Sequence, residues 1–228
     1  MKQLPPRRGG YYYRNNNKYR SITTLLGETL PKIALEKWKI NMAIDTALEF
    51  ADKSRDEVKT ILKQRLLGDA NRGTFVHRYI ESKSGLRPEP HTVSNEQGLG
   101  IPDKYKGYTR AVDQWWSSSP PKTVLYSERV VYSDTLRVAG RLDAVMEIGG
   151  KSYLVDFKTN RTGAIFREAG LQVAFYQHAL WEDLNIMVDG TMIVCFAEDG
   201  SYNVKYPTDT IDDFKVIHDC WKWLKRKE

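Results

Sequence analysis

The sequence lacks the features that mark membrane-spanning proteins and cysteine-liganded metalloproteins. Its 228 residues include only two cysteines, Cys195 and Cys220, and two thiols cannot supply a four-cysteine zinc or iron–sulfur site. We expect both to be small buried hydrophobic residues in a reducing compartment. No run of about 18 apolar residues occurs, which argues against a transmembrane helix. These absences predict a globular protein with no iron–sulfur cluster and no membrane partner.

Acidic residues are absent from the first 20 positions, and this segment holds the whole excess of positive charge. The chain has 35 Lys and Arg residues against 29 Asp and Glu residues, and six of the basic ones lie in "MKQLPPRRGGYYYRNNNKYR". With its four tyrosines, two glycines and two prolines, the segment is too irregular for a helix, so we interpret residues 1–20 as a flexible basic arm. It is either a solvated tail or a polyanion-binding arm, since guanidinium groups neutralise phosphates and tyrosine rings stack on bases.

Helical spacing dominates the first half of the chain, whereas β-branched and aromatic runs dominate the second half. The predicted helices cover residues 21–27, 31–53, 54–67, 74–83, about 102–116, about 164–184 and 209–227, and the predicted strands cover 122–133, 136–148, 151–159, 190–199 and 202–207. This order predicts a mixed α/β (α+β) fold in one domain over residues 21–228, with the mainly helical part 21–117 packed over the part 118–228.

The segment "GRLDAVMEIGGKSYLVDFKTN", residues 140–160, places two aspartates in strands that otherwise favour apolar residues. If the strands pair through the Gly149-Gly150 turn, Asp143 lies opposite Asp156, with Cβ atoms about 4.5–5.5 Å apart. Two carboxylates at that distance repel each other, and a hard cation such as Mg²⁺ or Mn²⁺ resolves the conflict. Lys158 shares a face with Asp156 because strand side chains alternate with a period of two.

Two carboxylates, a divalent cation and a lysine suit phosphodiester hydrolysis, because the cation polarises the phosphate and activates a water while the lysine stabilises negative charge. The alternative is that both aspartates are ordinary surface residues with Lys158 as a salt-bridge partner. Two helical pairs at i and i+4 favour the site: His77 with Glu81, and Gln172 with Tyr176 on the helix after the hairpin. A lone helix histidine is more often a packing or surface residue than a ligand, and the alternative for both pairs is a place at the edge of a packed face.

These residues carry a resemblance to a known family. "GRLD", "DFK" and "QVAFY" resemble motifs I, II and III of the PD-(D/E)xK nuclease superfamily in its RecB-like branch, and His77 matches that branch's additional upstream histidine. In order and approximate spacing, "SITTLL", "LPKIALEKWK", "RGTFVHRYIE", "LRVAGRLDAV", "YLVDFKT" and "LQVAFYQHAL" resemble the mitochondrial genome maintenance exonuclease family. The resemblance covers about residues 21–225 and leaves the basic arm outside it.

The resemblance implies a restriction-endonuclease-like core in αβββαβ order, with residues 118–228 as the catalytic core, and a helical region that arches over the active site and threads single-stranded DNA. It implies metal binding by His77, Asp143, Asp156 and the Phe157 carbonyl, catalysis by Lys158 with both aspartates, and supporting or substrate contacts from Gln172 and Tyr176. Glu128 is a further candidate ligand. Candidate DNA contacts are Ser21 and Thr23 near a helix N-terminus, and Arg7, Arg8, Arg14 and Arg20 in the arm.

The sequence therefore predicts a Mg²⁺- or Mn²⁺-dependent DNA exonuclease that acts on single strands or single-stranded ends in DNA repair, replication or recombination. A restriction- or flap-type endonuclease stays open because the motifs do not separate the two activities. A non-catalytic nucleic-acid-binding module is the alternative from another class. We expect a monomer with DNA, and replication or recombination proteins, as partners. Without a secretory signal or a supported transit peptide, we expect a bacterial or phage protein in the cytoplasm rather than a mitochondrial one.

Overall fold

The part of the chain that the structure describes contains ten strands, six α-helices and a short 3₁₀ helix, Asp103–Tyr105. The computed structural model describes residues 7–31, 33–85, 94–95, 98–99 and 101–226. The strands are β1 (Arg7–Arg8), β2 (Tyr11–Arg14), β3 (Asn17–Ser21), β4 (Ser94–Asn95), β5 (Gly98–Leu99), β6 (Pro121–Ser133), β7 (Val138–Ile148), β8 (Lys151–Thr159), β9 (Gly190–Phe196) and β10 (Tyr202–Lys205). The helices are α1 (Ile22–Thr29), α2 (Ile33–Glu49), α3 (Arg55–Lys83), α4 (Lys106–Ser118), α5 (Arg167–Leu184) and α6 (Ile211–Lys225).

Strand β7 is the centre of an eight-stranded mixed sheet. Strand β6 pairs antiparallel along the whole of one edge of β7. Two strands share the other edge of β7. Strand β3 pairs parallel with the first residues of β7, and β8 pairs antiparallel with the last five residues of β7. Strand β9 lies parallel to β8, and β10 lies antiparallel to β9. The mixed α/β class is confirmed, with the predicted αβββαβ order in α4, β6, β7, β8, α5 and β9.

Apolar side chains fill both faces of this sheet. On one face, Ile22 of α1, Phe175 of α5 and Phe214 of α6 belong to one buried core. On the other face, Val76 of α3 and Trp115 of α4 belong to a second core. The sheet is therefore the middle of three layers, and burial of its two faces removes the apolar surface from water. None of the described helices has the length and apolar character needed to cross a membrane.

The alternation of side chains along β7 shifts at Asp143. Leu142 belongs to the core with α1, α5 and α6, whereas Ala144, two residues further on, belongs to the core with α3 and α4. In a regular strand two such residues point to the same face. On the paired strand, Glu128 has the positive φ of +50° that non-glycine residues rarely adopt. The two acids thus lie opposite each other where both strands are irregular.

Helix α3 is one continuous helix of 29 residues, whereas the sequence predicted two helices with a break near Gly68 and Gly73. Glycine weakens a helix by about 1 kcal/mol relative to alanine, but it does not end this one. At Gly73 the helix passes close to the end of β8, since an added Cβ would lie in ordinary contact with Thr159 Oγ1, at 3.8 Å. At the start of α3, Ser54 and Glu57 form a capping box.

The interpretation of residues 1–20 as a flexible arm is corrected for the residues that the structure describes. Residues 7–21 form strands β1, β2 and β3, and β3 joins the main sheet through Arg20 and Ser21. Tyr19 is 1% exposed and packs in a small core with Tyr12 and Tyr132. Tyr12 and Tyr19, two of the four tyrosines of this segment, are therefore packing residues of a hairpin, whereas Tyr13 is exposed.

The two cysteines differ in their environment. Cys195 is buried on β9, as the sequence predicts, but Cys220 is exposed on α6. The expectation that both are buried is therefore wrong for Cys220. Neither forms a disulfide.

Candidate metal and catalytic site

The β7–β8 ladder ends at Ala144 and Val155, immediately before the two aspartates. This register places position 143 opposite position 156, as the hairpin prediction required. The carboxylates do not face each other as a simple cross-strand pair, however. Asp143 Oδ2 accepts a hydrogen bond of 2.7 Å from the backbone N–H of Phe157. The side chain of Asp143 thus takes the place of a ladder bond at the point where β7 and β8 separate.

His77, Glu128 and Asp143 form a cluster of potential metal ligands, which we call the ligand cluster. One ligand atom from each lies within 4.8 Å of the other two. His77 Nδ1 is 3.4 Å from Glu128 Oε1 and 3.7 Å from Asp143 Oδ1. His77 Nε2 is 3.2 Å from the carbonyl oxygen of Phe157. Helix α3 and strands β6, β7 and β8 therefore each bring one polar group to this point.

Electrostatics in the ligand cluster favour a cation. Burial disfavours the imidazolium of His77, but Asp143 and Glu128 outweigh burial and raise the pKa of His77 to about 9. Burial, with a contribution from Asp156, raises the pKa of Asp143 to about 6 against the opposing effect of His77. The acids thus hold a proton on the imidazole, which supplies the positive charge that the cluster requires.

The donor set fits a divalent cation of the Mg²⁺ or Mn²⁺ type. Carboxylate and carbonyl oxygens are the ligands that hard cations prefer, and imidazole is also a common ligand. A Glu128 backbone held at φ +50° is a strained conformation, and strain of this kind concentrates at functional sites. Glu128 lies in the cluster, although a strand glutamate is usually solvent-facing and its sequence pattern supported it less than His77 or the two aspartates.

Lys158 and Asp156 form a second, adjacent group. The Lys158 ammonium lies 2.7 Å from Asp156 Oδ2 and donates to Asp156 Oδ1 at 2.9 Å. It also donates to Gln172 Oε1 at 3.3 Å, and Gln172 Nε2 donates to the Tyr176 hydroxyl at 3.0 Å. Burial disfavours the ammonium, but Asp156 and Asp143 outweigh it and raise the pKa of Lys158. The lysine is therefore held charged and in place.

Gly140 of the "GRLD" segment explains how Tyr176 reaches this group. A Cβ added at Gly140 would lie 2.6 Å from Tyr176 Cε1 and 2.4 Å from Ile22 Cγ2. Both distances are shorter than real Cβ contacts allow. Only glycine lets α5 approach β7 closely enough for Tyr176 to support Gln172, and through it Lys158.

The structure brings most of the predicted site residues together. His77, Asp143, Glu128 and the Phe157 carbonyl converge in or beside the ligand cluster, and Lys158, Gln172 and Tyr176 form the adjacent chain of hydrogen bonds. Asp156 contacts Lys158 and is not one of the three residues of the cluster. Its predicted role as a metal ligand stays a prediction.

The predicted DNA contacts near the N-terminus lie on strands β1 to β3 and at the start of α1. Ser21 pairs with Ala139 of β7, and its hydroxyl is 3.0 Å from Thr23 Oγ1. Arg14 pairs with Asp134 and Asp183. Arg20 is largely buried, in an ion pair with Glu28 and over the ring of Tyr11. These two arginines therefore fasten the hairpin to the protein, while Arg8 is exposed and Arg7 lies in β1. DNA contact by these residues stays a prediction.

A groove of about 1040 Å³ lies between the helical region and the end of β8. We call it the arch groove. Trp38 and Phe166 contribute aromatic surface, and Phe166 is 47% exposed. Its basic residues are Lys39 of α2, Arg72 of α3 and Arg161 of the loop after β8. Arg72 also donates to the carbonyl of Thr159, next to Lys158, at 3.4 Å. The resemblance implied a helical region over the site, but sequence reasoning named none of the lining residues as DNA contacts, because they come from segments far apart in the chain.

Residues 47–221 match the sequence profile of the PD-(D/E)XK nuclease superfamily. The chain belongs to the PD-(D/E)XK nuclease superfamily. The matched residues include His77 of α3 and also Asp143, Asp156 and Lys158. The residues that converge at β7 and β8 therefore lie within the matched nuclease region. The superfamily assignment predicted from "GRLD", "DFK" and "QVAFY" is thereby confirmed, and nuclease activity on nucleic acid follows from it at the level of the superfamily.

Among curated proteins, this nuclease is similar to human (Homo sapiens) mitochondrial genome maintenance exonuclease 1. The two are 27% identical over 222 residues, which is 93% of this chain and 58% of the human protein. The chain thus spans well under two thirds of that relative's length. Among solved structures it is similar to SSO0001, with 14% identity, a TM-score of 0.42, and coverage of 94% of this chain and 79% of that one.

The pKa of His77 predicts a pH dependence of stability in the absence of divalent ions. A histidine whose pKa is raised in the folded state stabilises the protein below about pH 6.5, and this contribution is lost as the pH rises through about 9. We expect the free energy of unfolding, measured by urea denaturation in EDTA, to fall by on the order of 2 kcal/mol over this range. In His77→Gln this alkaline decrease should be absent.

A matched control for this measurement is His218→Gln. Burial lowers the pKa of His218, so that residue is neutral across the range and its replacement should leave the alkaline decrease in place. An equal decrease in His77→Gln and in the unsubstituted protein would contradict the charge assignment at His77.

Proposed function

We propose that this nuclease is a Mg²⁺- or Mn²⁺-dependent DNA exonuclease that acts on single strands or single-stranded ends. The observation that carries the proposal is that the ligand cluster and the Lys158 ammonium meet at the end of the β7–β8 hairpin, beside an aromatic and basic groove. The resemblance to an exonuclease of mitochondrial genome maintenance supports the exonucleolytic type of cleavage. DNA repair, replication or recombination is the setting that fits such an activity.

His77, Glu128 and Asp143 would hold the divalent cation, with the Phe157 carbonyl and Asp156 as further donors. When bound, the cation supplies Lewis-acid polarisation of the scissile phosphate and lowers the pKa of a coordinated water. His77 must release its proton to act as a ligand. The proton held at a pKa of about 9 therefore makes cation affinity rise with pH, because proton and cation compete for the same imidazole.

Lys158 supplies fixed positive charge beside the scissile phosphate. Its raised pKa keeps it protonated at neutral pH, so it stabilises the negative charge that develops on the phosphate instead of removing a proton from water. Asp156 and Gln172 orient it, and Tyr176 orients Gln172. Gln172 and Tyr176 are therefore positioning residues that act through Lys158.

The arch groove supports a single-stranded substrate. Aromatic side chains stack on unpaired bases irrespective of sequence, and basic side chains follow the phosphates. Trp38 and Phe166 provide the first kind of contact, while Lys39, Arg72 and Arg161 provide the second. Duplex DNA keeps its bases stacked on one another, so it offers no free base faces to this groove.

We expect Lys158→Ala and Asp156→Asn to abolish cleavage while leaving folding and DNA binding intact. The amide in Asp156→Asn keeps the shape of a side chain that is only 1% exposed, so loss of activity would not reflect a cavity. Cleavage of radiolabelled single-stranded DNA with Mg²⁺ or Mn²⁺ measures the effect, with circular dichroism to confirm folding. A purified variant that retains cleavage would overturn the assignment of these residues.

A panel of DNA forms tests the exonuclease and single-strand assignments together. We expect degradation of linear single-stranded DNA, and little degradation of circular single strands or blunt duplex. Cleavage of circular single-stranded DNA would instead support an endonuclease. Binding without cleavage of any form, under all divalent ions tried, would support the non-catalytic nucleic-acid-binding alternative.

A further inference from the structure

A second cavity, of about 290 Å³, borders the ligand cluster. We call it the end pocket. One face of α3 forms one wall, with Thr74, His77, Arg78 and Glu81 at spacings of three and four residues. Glu128 of β6 and Arg141 of β7 form the opposite wall. The arch groove and the end pocket share α3: Arg72 lines the groove, and Gly73 and Thr74, the next residues, line the pocket.

Arg141 is a residue of the end pocket that neither binds the cation nor contacts Lys158 in the proposed nuclease site. It lies in an otherwise buried stretch of β7, yet its side chain is 46% exposed. Its Nε is 2.8 Å from Glu128 Oε2, while the other oxygen of Glu128 contacts His77. Glu128 is therefore held between the ligand cluster on one side and a guanidinium on the other.

The chemistry of this wall fits a phosphate. A guanidinium has five N–H donors in a planar fork that matches phosphate oxygens, and the ion pair with Glu128 is made through Nε. Arg78 adds a second, exposed guanidinium on the facing helix. A volume on the order of 300 Å³ is at the small end of ligand pockets, which suits one nucleotide better than a continuing strand.

We propose that the end pocket binds the terminal phosphorylated nucleotide of a DNA strand, with Arg141 and Arg78 on its terminal phosphate. The proposal rests on the proposed function, because it assumes a DNA strand that runs from the arch groove past the ligand cluster. The end of that strand then lies in the end pocket. The scissile phosphate then lies at the cluster, and the nucleotide in the pocket is the one released. Arg141 thus selects strands that carry a terminal phosphate.

The test measures binding in the cleavage-deficient Lys158→Ala background, with Mg²⁺ present. The probes are short single-stranded oligodeoxynucleotides with a 5′-phosphate, a 3′-phosphate or hydroxyls at both ends, and fluorescence anisotropy gives the dissociation constants. We expect one of the two phosphorylated probes to bind more tightly than the hydroxyl probe. Arg141→Met in this background should weaken binding of that probe about tenfold, the loss typical of a charge-assisted hydrogen bond.

Two further variants separate this contact from general charge and from folding. Arg55→Met removes the same charge from the first residue of α3. Arg55 is 22 residues from His77, which is about 33 Å along the helix. This variant should keep the preference for phosphorylated probes. Arg141→Lys should keep part of it. Absence of any preference for a phosphorylated probe, or a preference unchanged in Arg141→Met, would overturn the proposal.

The length of the products gives a second readout. With Lys158 intact, we expect Arg141→Met to lose the preference for phosphorylated ends and to release a changed distribution of product lengths; an unchanged distribution together with an unchanged preference counts against the pocket. The two proposals can fail separately. If no DNA is cleaved but Arg141→Met still abolishes the binding preference, the exonuclease proposal fails and the end pocket stands.

Discussion

The hydrogen bond from the Phe157 amide to the Asp143 carboxylate is the interaction on which the rest of the site depends. It forms where β7 and β8 separate, and it replaces a backbone bond that the ladder would otherwise make. A buried N–H without a partner would be costly, so the aspartate stabilises the opening of the hairpin. The same opening turns the Phe157 carbonyl towards His77 and leaves room for the ligand cluster between the strands and α3.

Charge balance links the parts of the site that lie on different elements. Asp143, Glu128 and Asp156 bring three carboxylates close together, and His77, Arg141 and Lys158 each neutralise one of them. Buried or half-buried acids are tolerated when they are paired in this way. Binding of a divalent cation changes the charge of His77 most, because an imidazole that ligates a cation cannot keep the extra proton. The ion pairs thus balance the charges of the site without the cation, and His77 releases a proton when the cation binds.

Local patterns in the sequence predicted the parts of this site that depend on local geometry. The Gly149-Gly150 turn and the period of two place Asp143, Asp156 and Lys158, and helical spacing pairs Gln172 with Tyr176. The phase shift at Asp143 could not be predicted, because it depends on the positive φ of Glu128 on another strand. The hairpin of residues 7–21 was misread for a similar reason: its buried tyrosines, Tyr12 and Tyr19, pack with Val130 and Tyr132, which lie more than 100 residues further along the chain.

The most direct test of this account is calorimetric titration of the metal-free protein with Mn²⁺, because the ligand cluster is its central claim. We expect saturable binding with proton release near pH 7, since His77 exchanges its proton for the cation. In Asp143→Asn, and to a lesser degree in Glu128→Gln, binding should weaken markedly, whereas Glu198→Gln, at the rim of the arch groove, should bind as the unsubstituted protein does. Equal Mn²⁺ affinity in Asp143→Asn and the unsubstituted protein would contradict the account.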